Sequence, residues 1–477
     1  VSGFSGWGRP LFGTINYWGG FENLPAILAR AGYKVIVARI GPVSSNRERA
    51  CEIWTQLRNI NNGTDRININ YGSQHPAAPL GFLQRAWTWR PVLFGDFPDN
   101  WDWAWGKERP VHFVCHSQGG NSVRYLIELL TGTHTDLFPG PDFPTENHQD
   151  WVGSVVTIGT PYKGTTVTDV VQNLLPPNFL EALTRLVWST SFDPPRSRFY
   201  DLQLDHWGFY RLEDESLSAM HTRLSNIVPF WWNSNLHGLH DNSILGVASL
   251  NDFAPDPSEH TYYFTMAFCA TNPFPNRTLG QQDVNEFLAL FPLNEVFNPF
   301  GVGGRALSSV FQIFSQLPFL PQLRDFAAWL TDVANRHLGS MNYFSRIPRP
   351  GSQVPRADML PAIAVPAYAM GGYQLDQQGS RVLDHITSEE YQRNDGIVNT
   401  KSMSGPVSAE YGAGPFPGPG IDMKDMASAK RKYWYLGENA TIDHADQIGV
   451  FTSENTVGSY PQSLTIVVST PKDKTLY

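Results

Sequence analysis

Short apolar runs alternate along this chain with stretches whose apolar residues recur at helical spacing. Val111-His112-Phe113-Val114-Cys115 predicts a buried strand, and Val123, Leu126, Ile127 and Leu130 after it predict one face of a helix. Tyr33 to Ile40 and Val152 to Ile158 are rich in β-branched residues and predict strands, each closed by Gly-Pro or Gly-Thr-Pro. Between them, Asn46 to Leu57 opens on a capping residue and continues at helical spacing, which predicts a helix. Thr261 to Phe268, Ala362 to Met370 and Lys432 to Leu436 are further strand candidates. Strands separated by helices in this rhythm imply a mainly parallel α/β sheet flanked by helices.

Two regions break the rhythm. From Thr166 the apolar positions Val167, Val170, Val171, Leu174 and Leu175 form one stripe, Phe179 to Trp188 a second, and Phe230-Trp231-Trp232 a third patch. Just after a core strand, such stripes are either core helices or a lid that covers a site in water. The second region, about 271–361, is punctuated by prolines and carries helical stretches around Leu307–Leu317 and Phe326–Leu338. The expected organisation is one α/β domain over 1–477, with a lid or cap insertion at 166–250 and another cap at 271–361. The segment from Asn59 to Arg109 and Gly412 to Gly420 read as loops.

The turn between the first strand and its helix carries the candidate chemistry. Ser117 stands at its apex, with Gly119 and Gly120 behind it and Cys115 where G-x-S-x-G has its first glycine. A sharp strand-to-helix turn pushes a hydroxyl out over the sheet edge, and the helix N-terminus aims N–H groups at an oxyanion. An ordinary turn serine beside close-packing glycines is the alternative. A serine hydroxyl needs a base, and the base needs an acid to orient it. Asp395 lies in the turn-forming Asn394-Asp395-Gly396, expected to follow the Ala362–Met370 strand, and His444 lies just after the expected last strand. That is the order Ser, Asp, His of the α/β-hydrolase fold. Each residue also has a plainer role, as a turn cap or a surface histidine.

Composition narrows the partners. A formal net charge of −9 argues against nucleic acid. Thirteen per cent aromatic residues suit a large apolar binding surface or a bulky core. Three cysteines cannot build a disulfide framework, and no apolar run is long enough for a transmembrane segment. The sequons at Asn62, Asn276 and Asn439 are compatible with glycosylation and secretion, and a start at Val1 without a leader-like stretch is expected of a processed chain.

Motifs in order along the chain resemble the secreted thermostable lipases of the Geobacillus and Staphylococcus type. They include Gly3-Phe4-Ser5-Gly6-Trp7-Gly8, Tyr17-Trp18-Gly19-Gly20, Gly41-Pro42-Val43-Ser44-Ser45-Asn46, His116-Ser117-Gln118-Gly119-Gly120, Leu204-Asp205 with Trp207-Gly208, Asn394 to Thr400, and Asp443-His444. The insertion after Cys269 is unmatched. The resemblance implies an α/β-hydrolase fold, Ser117, Asp395 and His444 as the triad, and backbone N–H groups of Phe4 and Gln118 as the oxyanion hole. It implies a lid over Thr166–Trp188. It also places Ser2 where the family has histidine, and the family strand preceding it has no counterpart here.

The resemblance further implies metals. The family's structural zinc maps onto Glu48, His75 and Asp205, with Gly81 at the second histidine and His206 as a neighbouring substitute. A hydrogen-bonded Glu48–His75–Asp205 cluster is the alternative. For calcium, only Gly371 and Asp446 match, with Phe451-Thr452 in place of Asp-Pro, too few oxygens for a hard cation. No organic cofactor is expected. The implied activity is hydrolysis of long-chain esters at an oil–water interface. An esterase or phospholipase with the same triad, or a non-catalytic binding protein on this scaffold, are the rival classes.

Overall fold

The computed structural model describes residues 1–59 apart from 12, three strand fragments between 66 and 94, and 103–134, 144–174, 179–191 and 200–273. It further describes 352–406 apart from 357, 358, 360 and 385, then 411–412 and 426–450. The expected helices within 271–361, His75, and the sequons at Asn62 and Asn276 lie outside these residues.

The elements begin with α1 (Leu24–Arg30), β1 (Ile36–Val37), α2 (Asn46–Asn59), β2 (Arg66–Asn68), β3 (Trp87–Trp89) and β4 (Leu93–Phe94). They continue with β5 (Val111–His116), α3 (Gln118–Leu129), β6 (Val152–Ile158), α4 (Val167–Leu174), α5 (Phe179–Ser191), α6 (Leu217–Asn233), α7 (Gly238–Asp241) and α8 (Ile244–Phe253). The last are β7 (Tyr262–Phe268), β8 (Thr271–Pro273), β9 (Gln353–Pro355), α9 (Pro361–Gly371), α10 (Gln377–Val382), α11 (Ser388–Tyr391), β10 (Tyr411–Gly412) and β11 (Tyr433–Asn439).

Five strands make one sheet in the order β10-β11-β7-β6-β5, and every neighbouring pair is parallel. Parallel strands need crossover connections, so the sequence between them supplies helices that cover the faces. Helix α3 buries Val123, Leu126, Ile127 and Leu129 in a core shared with Ile53 and Trp54 of α2 and Phe113, Cys115 and Val155 of the sheet. A separate apolar core joins Val187 of α5 to Leu204, Trp207 and Phe209 and to Met220, Leu224, Val228 and Trp231 of α6. Helix α4 lays Val167 and Val170 against Ala369 and Met370 of α9. Val167 and Val170 of one stripe of the expected lid and Val187 of the other are thus packed against other helices.

Three sequence expectations need correcting, the first being the loop reading of 59–109, which carries the short strands β2, β3 and β4. Ala362–Met370 lies in helix α9, not in a strand. Its positions are uniformly apolar, so periodicity could not separate strand from helix, and its alanines and the proline at its first position favour a helix. The run Tyr33–Ile40 makes only the two-residue β1, antiparallel to β4 and outside the five-stranded sheet. Side chains of α2 take its backbone partners instead. Arg39 N donates to Gln56 Oε1, Gln56 Nε2 donates to Arg39 O, and Gly41 N donates to Glu52 Oε2.

The outer edge of β5 meets the start of the chain. Val1 N donates to Val114 O and His116 N donates to Val1 O, the slanted pattern of a parallel pair. Val1 therefore lies along the edge of β5.

Candidate active site

Ser117 sits between β5 and α3 with φ 54° and ψ −131°. A non-glycine residue in this region is strained, and the surroundings must hold it there. Ser117 N donates to Ile158 O at 2.9 Å, and Thr160 Oγ1 donates to Ser117 O at 2.8 Å. Small neighbours make room. A Cβ on Gly119 would stand 2.7 Å from Val1 O, and one on Gly120 would stand 2.4 Å from Thr160 Oγ1.

The strand ends supply the rest. Asp395 follows α11 but is fastened beyond β7, where Ala270 N donates to Asn394 O at 2.9 Å and Thr400 Oγ1 donates to Phe268 O at 2.7 Å. His444 lies five residues past the end of β11. Ser117, Asp395 and His444 thus gather at the carboxyl ends of β5, β7 and β11, the edge where parallel α/β sheets build their sites.

His444 Nδ1 donates to Asp395 Oδ2 at 2.7 Å, and His444 N donates to Asp395 O at 3.0 Å. The carboxylate is wholly buried, and its other oxygen accepts N–H groups of Ile397 at 3.0 Å and Val398 at 2.8 Å. The His444 ring centroid lies 4.5 Å from that of His116, the residue before Ser117. Burial, and then the nearby His444, hold His116 well below the ordinary histidine value, so it is neutral.

Gly3 packs on the serine so closely that a Cβ there would be 2.6 Å from Ser117 Cβ. The following residue, Phe4, is 37% exposed. Buried Arg49 fastens this loop: it donates to the carbonyls of Ser2, Gly3 and Gly41 and to Ser122 Oγ. Burial lowers its guanidinium to about 10. Gln118 opens α3, so its backbone N–H belongs to the helix turn that lacks intrahelical acceptors. Its side-chain amide donates to Ser44 O and Asn46 Oδ1, each at 3.2 Å.

Three of the four expected zinc positions, Glu48, Asp205 and His206, lie within the described residues. Glu48 accepts Trp207 Nε1–H at 2.7 Å and Ser45 N–H at 3.0 Å, and lies 3.1 Å from His206 Nε2. Asp205 and His206 are buried. Among the described residues no three His, Cys, Asp or Glu side chains converge as a metal site would require. His75, the remaining expected zinc position, lies outside the described residues. Of the expected calcium positions, Gly371 ends α9 and Asp446 is buried two residues past His444.

Sequence reasoning did not single out Arg49, Gln447 or Tyr17 for a role at the site. Tyr17 stood inside a motif stretch, Arg49 lies three residues past one, and Gln447 is three residues past His444, but only the fold shows what they touch.

The family model described as "Lipase-like, C-terminal domain" matches residues 1–296. The lipase of Staphylococcus hyicus is 28% identical over 288 residues, 57% of this chain and 40% of that protein. A Staphylococcus epidermidis lipase is 30% identical over 271 residues, 53% of this chain and 35% of its own length. The matched segments thus span well under half of these relatives. Among solved structures, Staphylococcus hyicus lipase superposes with a TM-score of 0.60 at 20% identity, covering 98% of this chain and 93% of that one. EstA from Clostridium botulinum gives 0.60 at 22% identity, covering 97% and 86%. These likenesses show the fold, the α/β-hydrolase arrangement expected from the sequence. With the family model matched over more than half its length, the chain belongs to the Lipase-like, C-terminal domain family.

Proposed function

We propose that this chain is a carboxylic ester hydrolase of the lipase type, secreted and acting on long acyl esters at an oil–water interface. One observation carries the reading: a buried Asp395–His444 pair whose imidazole packs on the ring of His116, the residue before a serine held in a strained strand-to-helix turn. Asp395 holds the Nδ1–H tautomer of His444, which leaves Nε2 free to take the Ser117 proton. The serine oxygen attacks the ester carbonyl, and the carbonyl oxygen becomes an oxyanion facing the N–H groups of Phe4 and Gln118. His444 returns the proton to the departing alcohol, leaving an acyl-serine. Water then gives His444 a proton and attacks the acyl carbon, and the fatty acid leaves as Ser117 regains its hydrogen. No cofactor takes part in these steps.

Residues 166–250 act as the lid and cap in this reading. The apolar positions that α4 packs on α9 and α5 packs on α6 are the ones that would turn towards lipid. The test is hydrolysis of emulsified long-chain triacylglycerol and of p-nitrophenyl esters of rising chain length by wild type and Ser117→Ala. Activity on the emulsion that falls by about 10³-fold or more in Ser117→Ala supports the reading. Activity confined to short soluble esters would make the chain an esterase instead. Equal rates in both proteins would overturn the proposal.

A further inference from the structure

We propose that Gln447, His116 and Tyr17 are positioning residues that join the triad acid to the oxyanion loop by one hydrogen-bond chain of fixed direction. The inference rests on the hydrolase reading for its consequence, although its structural content stands apart. The chain runs from Gln447 Nε2 to Asp395 Oδ2 at 2.6 Å and from His116 Nε2 to Gln447 Oε1 at 3.2 Å. It continues from Tyr17 Oη to His116 Nδ1 at 2.7 Å and from Gly3 N to Tyr17 Oη at 2.8 Å.

Its direction follows from one end. The Asp395 carboxylate can only accept, so the Gln447 NH₂ must face it. The Gln447 carbonyl then faces His116, which must carry its proton on Nε2. His116 Nδ1 is therefore an acceptor and takes the Tyr17 O–H. The Tyr17 oxygen is left to accept the N–H of Gly3, one residue before the proposed oxyanion donor Phe4. No member can reverse without leaving a buried polar group unpaired, which is costly. The neutrality of His116 agrees with this arrangement.

The packing reserves space for it. Gly159, at the end of β6 with φ +62°, would place a Cβ 2.2 Å from Gln447 Oε1. Tyr17 is gripped edge-on by Trp7 at 5.3 Å and Trp18 at 5.4 Å, which orients its hydroxyl. Among the described residues, the titratable groups facing His444 are Asp395 from the loop beyond β7 and His116 from β5. Asp443 and Asp446 lie on its own loop. Tyr17, the Val1 ammonium and then Arg49 stand behind His116.

Two consequences can be separated. Without the Gln447 N–H, the Asp395 charge at Oδ2 bears on His444 alone and favours its protonated form. The acidic limb of kcat/KM then moves up by about half a pH unit or more. Without the Tyr17 hydroxyl, Gly3 loses its acceptor, and kcat falls about tenfold with KM little changed.

The experiment pairs spectroscopy with kinetics. Histidine-¹⁵N spectra of the wild type, assigned by comparison with His116→Asn, should show His116 as the Nε2–H tautomer. The Nδ1–H tautomer would overturn the proposal whether or not the protein hydrolyses esters. In kinetics, Gln447→Met keeps the bulk and removes the amide, so it should shift the acidic limb, while Tyr17→Phe should lower kcat and leave that limb in place. A Gln447→Met profile superimposable on wild type in a folded variant would reduce Gln447 to a packing residue and also overturn the proposal. A wild type that hydrolyses nothing but shows the Nε2–H tautomer would sink the hydrolase reading and sustain the chain of bonds.

Discussion

At the scale of single residues, the site depends on what small side chains leave empty. Gly3 touches Ser117 where a methyl would stand 2.6 Å from its Cβ, so Gly3→Ala must push the oxyanion loop or the serine aside. Steady-state kinetics should show kcat lowered by about 10–100-fold with little change in KM; an unchanged kcat would separate this loop from the chemistry. Asp395→Asn should lower kcat by about 10⁴-fold, because an amide can hold His444 in the wrong tautomer. At this scale the sequence was legible where chemistry is local. Ser117, Asp395 and His444 stood out by residue type, order and turn context. The role of Arg49 did not, because its partners Ser2, Gly3, Gly41 and Ser122 are scattered along the chain. Gln447 was hidden for the same reason, since its two contacts come from β5 and the Asp395 loop.

At the scale of elements, helix α2 and strands β5, β6, β7 and β11 were readable from periodicity and β-branched content. Two elements were not. The apolar run of α9 has no polar positions to betray its period, and Tyr33–Ile40 has strand-like residues whose backbone groups are taken by Gln56 and Glu52 of α2. The correction to α9 matters for the site. Asp395 is presented by a loop leaving helix α11 and is pinned to the end of β7 by hydrogen bonds, rather than carried out directly on a strand. Close packing of α3 on the sheet is itself testable. A methyl at Gly120 would meet Thr160 Oγ1 at 2.4 Å and Thr157 Cγ2 at 2.9 Å. Gly120→Ala should therefore cost about 1–3 kcal/mol in urea unfolding. An unaltered midpoint would show that helix and sheet can separate there without penalty.

At the scale of the whole molecule, a parallel sheet brings three distant segments to one edge, and the buried groups that hold them make stability depend on pH. His237 is buried, stacks on Trp232 at 4.6 Å, and donates from Nε2 to the Trp232 carbonyl. Burial lowers it from an ordinary value of 6.5 to about 4. Its folded value lies below its unfolded one, so the unfolded chain binds more protons in this window. Stability should fall as the pH drops from about 6.5 towards 4, by about 1 kcal/mol per unit from this group. Neutral buried His116 acts in the same direction. Thermal unfolding of His237→Gln between pH 7 and 5 should show a shallower decline than wild type, whereas parallel curves would mean that His237 titrates alike in both states. The central claim is that the Ser117 hydroxyl is made nucleophilic by a base arriving from far along the chain. Intact-mass and peptide mapping after exposure to a long-chain alkyl phosphonate test it most directly. The expected result is one adduct, on Ser117, forming quickly in wild type and at least about 10²-fold more slowly in His444→Ala. No adduct, or one that forms equally fast without His444, would contradict it.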